Sequence, residues 1–240
     1  MKYTLKDIAH SLSPEKRKTN GYWDRLVIRP VSYPVTWLAL ACGLSPNTVT
    51  WISVFIVITG SALFAITNGV PQWAGVGALF VFCILDAVDG NMARTTKINN
   101  PWGSWTDAVG GYIAYTATLL ALGIAAERAG GFYGPAGLCI FLGGFSAATN
   151  MLMRACVQSH RTFQTALEGA PVKASPSGEK WISENLGITG IMDALIALGL
   201  ALHFLHWVLY FYTLLYGIGS VWIILKLALT TKNSKPSRAQ

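Results

Sequence analysis

The chain has 240 residues, of which 52% are hydrophobic and only 12% charged, against about 25% charged in ordinary soluble domains. Its formal net charge is +7, but the basic residues flank apolar runs instead of forming a stripe with stacking aromatics, which argues against a nucleic-acid partner. Cys42, Cys83, Cys139 and Cys156 show no CxxC pair and no His at ligand spacing, so neither a zinc site nor a disulfide framework organises the fold.

In chain order, residues 1–30 carry scattered charge that leaves no room for a signal-peptide core, and a mature cytoplasmic segment is expected there. Residues 31–44 are apolar but too short to cross a bilayer, which predicts an amphipathic helix lying along the cytoplasmic lipid interface. Ser45 suits a helix N-cap and Pro46 the first helical position, so this turn opens the first span. Crossing the hydrocarbon core takes roughly 20 apolar residues. Six such runs follow: Val49–Thr67, Trp73–Ala93, Trp105–Ala126, Phe132–Met153, Leu186–Leu205 and Trp207–Leu225. The expected fold is therefore an all-α integral membrane protein, with a six-helix membrane domain over 45–229 and a disordered cytoplasmic tail over 230–240. The stretch from Arg154 to Asn185 is its longest internal loop.

Seventeen of the eighteen Lys and Arg residues fall on one side of this layout, with Arg128 alone opposite. The positive-inside rule makes the crowded side cytoplasmic, together with both termini. A plasma membrane, the inner membrane in a bacterium, is the expected location.

Charge inside a membrane helix is costly, so an intramembrane carboxylate is read first as functional. The second span ends Ile84-Leu85-Asp86-Ala87-Val88-Asp89-Gly90-Asn91-Met92-Ala93-Arg94. At about 100° per residue, Asp86, Asp89, Gly90 and Ala93 share one stripe. The third span begins Gly103-Ser104-Trp105-Thr106-Asp107, and the eight intervening residues allow the chain to turn back so that Asp107 meets the same space. Three carboxylates without thiolate or imidazole suit Mg²⁺ or Mn²⁺, one or two ions, which favour oxygen ligands and often share them with phosphate. Gly90 and Gly103 leave backbone accessible to a nucleotide, and Arg94 supplies a fixed positive charge for phosphate.

This pattern resembles the signature of the CDP-alcohol phosphotransferases. That signature runs Asp, two residues, Asp-Gly, two residues, Ala-Arg, eight residues, Gly, three residues, Asp, three residues, Asp. Seven of its eight fixed positions match, at Asp86, Asp89, Gly90, Ala93, Arg94, Gly103 and Asp107. The resemblance implies transfer of a substituted phosphate from a CDP-linked donor to a lipid or polar alcohol acceptor, with release of CMP. It further implies Asp86, Asp89 and Asp107 as metal ligands, Gly90, Ala93, Arg94 and Gly103 around the nucleotide, membrane lipids as surroundings, and a homodimer.

The eighth position, the family's last aspartate, is Gly111 here. In the family that carboxylate is taken as the base that deprotonates the acceptor, and losing a general base costs about 10²- to 10⁴-fold. Three routes follow: a substitute base, with Asp193 as the other carboxylate within a span; an acceptor that already presents an anion; or a protein that binds CDP-alcohol and metal without turnover. Arg154, His160 and Arg161, at the cytoplasmic end of the fourth span, are candidates for an anionic acceptor head group.

Overall fold

Each long apolar run becomes a helix. In the computed structural model, which describes residues 3–13, 20–97, 101–130, 134–168 and 177–233, no strand occurs among the described residues. The helices are α1 (Leu5–His10), α2 (Arg29–Ala41, entered through a π-helical turn over Asp24–Ile28), α3 (Pro46–Ile66), α4 (Val70–Thr96), α5 (Pro101–Ala129), α6 (Leu138–Glu168), α7 (Ser177–Leu186), α8 (Asp193–Ala201) and α9 (Leu205–Asn233). Six segments are long and apolar enough to cross a membrane, with α7, its following turn and α8 together providing the fifth. The protein is a multi-pass membrane protein.

Helix ends differ from the sequence expectation where side chains satisfy exposed backbone groups. The first span starts as expected: Ser45 Oγ accepts from Thr48 N at 3.1 Å and Pro46 occupies the first turn. The third begins at Pro101, four residues before the expected Trp105, which puts Gly103 and Asp107 on one continuous helix face. The fourth begins at Leu138 and not at Phe132, which lies outside the described residues. Its first turn is capped from a neighbouring helix, since Glu127 accepts from Gly137 N at 2.6 Å and from Cys139 N at 3.0 Å. A carboxylate there satisfies N–H groups that have no partner within the helix.

Among the described residues the expected loop from Arg154 to Asn185 is helical, because α6 runs on to Glu168 and α7 covers Ser177–Leu186; residues 169–176 lie outside the described residues. The fifth span is broken where a continuous helix was expected. A π-helical turn covers Ile188–Met192, and Gly190 leaves helical geometry at φ −96°, ψ −138°. A Cβ on Gly187 would collide with Tyr115 Oη and the Ser183 carbonyl, and one on Gly190 with the Asn185 carbonyl. The tail was expected to be disordered from residue 230, yet α9 continues to Asn233; residues 234–240 lie outside the described residues.

Water does not drive helices together inside a bilayer, so close contact of small residues must do so. The α3–α4 crossing uses Gly60, Gly75 and Ala78, and the α5–α6 crossing uses Gly123 against Gly143. A Cβ on Gly75 would lie 2.5 Å from Phe64 N and 2.7 Å from the Gly60 carbonyl oxygen, both rigid backbone atoms, whereas one on Gly77 would meet nothing within 4 Å. Gly75→Ala is therefore expected to destabilise the bundle by about 1–3 kcal/mol through overpacking. Gly77→Ala is expected to be neutral or slightly stabilising through its helix propensity. Thermal unfolding of the two variants in the same detergent tests the contrast.

The interior is filled by Phe64, Leu79, Phe82, Leu119, Leu122 and Tyr212. Phe55, Val70, Trp207 and Ile218 are exposed on the outside of the bundle, as lipid-facing side chains are. Helix α2 packs against α4 through its small polar face, where Asn91 Nδ2 donates to Ser32 Oγ at 3.0 Å and to Thr36 Oγ1 at 3.2 Å. This contact brings the segment before the first span beside the end of the second.

Candidate functional site

Asp86 and Asp89 sit one turn apart on α4, Asp107 stands near the start of α5, and the short connection leaves these two ends adjacent. The three carboxylates border one cleft of about 770 Å³. All seven residues of the motif line it: Asp86, Asp89, Gly90, Ala93, Arg94, Gly103 and Asp107. Asp89 is buried, Asp86 half-buried and Asp107 exposed, so the acidic wall runs from the bundle interior to its opening.

Neighbouring side chains hold several of these groups. The Thr50 hydroxyl of α3 donates to Asp89 Oδ2 at 2.6 Å, anchoring one carboxylate oxygen in a buried setting. The Arg94 guanidinium folds back over Gly90: a Cβ at that position would lie 3.1 Å from Nη1 and 3.3 Å from Nη2. Gly90 therefore leaves room for an arginine of its own helix while itself bordering the cleft. At Gly103 a Cβ would lie 3.3 Å from Asn47 Oδ1, so that glycine lets the first turn of α3 approach α5 closely.

The cleft also includes residues that sequence reasoning did not assign to it, among them Arg29, Asn47, Thr50 and Lys97. Thr50 carried one weak signal, a polar residue one turn beyond Asn47, but the same span also holds Ser53, Thr59 and Ser61. Lys97, one of the basic residues that mark the cytoplasmic side in the sequence, ends α4 in a left-handed conformation at φ 57°. Arg29 carried no signal, because nothing in the sequence says that α2 folds onto α4.

Other candidates lie elsewhere. Gly111 does not line the cleft, and a Cβ there would meet nothing within 4 Å; neighbouring Gly110 instead faces α3, with Val54 Cγ2 3.1 Å from where its Cβ would be. Asp193 is buried away from the cleft at the start of α8, with its Oδ2 3.0 Å from the Cys83 sulfur, which also lies 3.1 Å from the Ile188 carbonyl oxygen. Asp193, expected as a substitute base, is thus not among the residues that border the carboxylates' cleft. The fifth span breaks before Asp193 and turns it toward Cys83 in the core.

Arg154, His160 and Arg161 do not converge. Arg154 stacks on the Tyr115 ring, with its guanidinium carbon 4.2 Å from the ring centroid, and its Nε donates to Asn150 Oδ1 at 2.9 Å. His160 pairs with Thr231 Oγ1 at 3.0 Å in a separate cleft between α6 and α9, and Arg161 is exposed and lines neither.

Among the described residues, no three acidic, imidazole or thiolate side chains are gathered closely enough to enclose a metal ion by themselves. The donor set still fits a hard divalent cation. Three carboxylates border one hollow that no His or Cys lines, and Mg²⁺ is commonly held by one or two carboxylates plus substrate phosphates and water, without an all-protein cage.

Comparison with known proteins agrees with the motif. The family model described as CDP-alcohol phosphatidyltransferase matches residues 43–231. Cholinephosphotransferase 1 of Xenopus laevis is 31% identical over 143 residues, covering 55% of this chain and 35% of that protein. Phosphatidylinositol phosphate synthase of Cutibacterium acnes is 33% identical over 81 residues, covering 32% of this chain and 37% of that protein. Each alignment thus spans little more than a third of the relative's own length.

Proposed function

Because the chain belongs to the CDP-alcohol phosphatidyltransferase family, we propose that it transfers a substituted phosphate group from a CDP-linked alcohol to an acceptor, releasing CMP in polar-lipid synthesis. The observation that carries this reading is a single cleft bordered by Asp86, Asp89 and Asp107 together with the cations Arg29, Arg94 and Lys97. Carboxylates alone would repel a diphosphate. Carboxylates that hold a divalent cation, beside fixed guanidinium groups, attract one.

Asp86, Asp89 and Asp107 hold one or two Mg²⁺ or Mn²⁺ ions. When bound, such a cation neutralises the charge of the diphosphate and of the departing CMP. Thr50 fixes one oxygen of Asp89, so that carboxylate presents a set geometry to the cleft. Arg94 binds phosphate oxygens, and Gly90, Ala93 and Gly103 border the space for the nucleotide. The acceptor oxygen attacks the phosphorus that carries the substituent, the bond to the CMP oxygen breaks, and CMP leaves with the bonding electron pair. With Gly111 where the family has a carboxylate, a neutral acceptor passes its proton to water instead of to a carboxylate at this position, and hydroxyl acceptors turn over slowly. By the charge distribution of the loops, the cleft opens to the cytoplasm, where a water-soluble substrate and a lipid can meet.

Gly111 also favours a second reading, in which the protein binds CDP-alcohol and metal without turnover. The two separate in one experiment on the purified protein in lipid vesicles. CMP release from a CDP-linked donor is expected in Mg²⁺ or Mn²⁺ and is expected to fall to background with EDTA. Donor binding with no CMP released for any acceptor, hydroxyl or anionic, would establish the second reading instead.

A further inference from the structure

Arg29 lies outside the motif, on the helix that precedes the first span, yet it borders the carboxylate cleft. Its guanidinium is held on two edges. Nε donates to Asp24 Oδ2 at 3.0 Å, and Nη1 donates to Asn91 Oδ1 at 3.0 Å. Asp24 is buried and is steadied in turn by Asn20 Nδ2 at 2.6 Å.

The same Asn91 oxygen accepts a second hydrogen bond, from Arg94 Nη2 at 2.8 Å. Asn91 has no exposed surface, and its amide nitrogen is committed to Ser32 and Thr36 of α2. One neutral oxygen thus holds two guanidinium groups side by side. Arg29 has Asp24 as a counter-charge, whereas Arg94 forms no ion pair among the described residues and its buried Nε has no hydrogen-bond partner. Two like charges held this close repel, and a neutral amide cannot cancel them; an anion with several oxygens, lying against both planar forks, can. Asn91 occupies one of the two variable positions between the Asp-Gly and Ala-Arg pairs of the motif, so the motif itself does not specify this pairing.

We propose that Arg29 is a further phosphate-binding residue, forming with Arg94 a paired clamp for the diphosphate of the nucleotide donor, with Asp24 and Asn91 setting its orientation. This rests on the transferase reading of the cleft and extends the site to a segment before the first span. Helix α2 then does more than mark a lipid surface: it delivers one of the cleft's charges.

The test is titration of the full chain in detergent and Mg²⁺ with CDP, and with cytidine by competition. The protein is compared with the double variant Asp24→Asn/Arg29→Gln, which removes both charges so that no buried carboxylate is left unpaired. CDP affinity is expected to fall about 10- to 100-fold, the range for hydrogen bonds to charged groups, while cytidine affinity and the thermal midpoint hold. Unchanged CDP affinity would overturn the clamp, and so would parallel weakening of CDP and cytidine, which marks a structural role. If the unaltered protein fails to bind CDP, the transferase reading itself falls and takes the clamp with it; binding by the unaltered protein with no effect of the variant removes the clamp alone.

Discussion

Asp89→Asn is expected to lower CMP release by roughly 10²- to 10³-fold, the scale of losing one major electrostatic contribution to the transition state. The substitution is nearly isosteric, and an asparagine Oδ1 still accepts from the Thr50 hydroxyl that now bonds Asp89 Oδ2 at 2.6 Å. What disappears is one negative charge in a buried position on the cleft wall. The variant should therefore fold and melt like the parent while losing turnover, and the loss should appear as weaker activation by Mg²⁺ across a titration. Asp193→Asn provides the contrast. That carboxylate is equally buried but faces Cys83 in the core, so CMP release is expected to be unchanged. A loss at Asp193 matching that at Asp89 would favour it as the base, and retained activity in Asp89→Asn would remove the carboxylate cleft from the chemistry.

Gly111→Asp is expected to raise transfer to a neutral hydroxyl acceptor by about tenfold or more, drawing on the 10²- to 10⁴-fold range of general-base contributions. Space is available for it, since a Cβ at this position meets nothing within 4 Å, and one helical turn separates it from Asp107 on the same face of α5. Because the substitution is sterically free, its effect on rate reads chemistry and not repacking. Transfer to an anionic acceptor, which needs no deprotonation, is expected to change little. The check is the initial rate of CMP release with paired hydroxyl and phosphate acceptors. An unchanged rate with both would place position 111 outside the reacting groups, and a fall with the hydroxyl acceptor would show the open space to be occupied by acceptor in the parent protein.

The family resemblance was readable because its motif is local. Asp86 and Asp89 are three residues apart, and helical geometry alone puts them on one stripe; the short connection to α5 brings Asp107 to the same end. The six apolar runs were legible for a similar reason, since in lipid a chain segment must satisfy its backbone internally and forms a helix. Helix ends were less legible. Glu127 caps α6 from another helix, and the glycines that break the fifth span act through contacts with Tyr115 and the backbone.

From the amino-acid order alone follow the solvent, the number of spans, the acidic stripe and the vacancy at Gly111, because composition and helical period are properties of neighbouring residues. Only the tertiary structure decided that Arg29 reaches the cleft, that Asn91 joins it to Arg94, that Gly90 shelters an arginine and that Asp193 turns away. These placements depend on which small residues let helices approach and at what rotation they meet. In a bilayer that choice is made by packing between helices distant in sequence, and no local pattern encodes it.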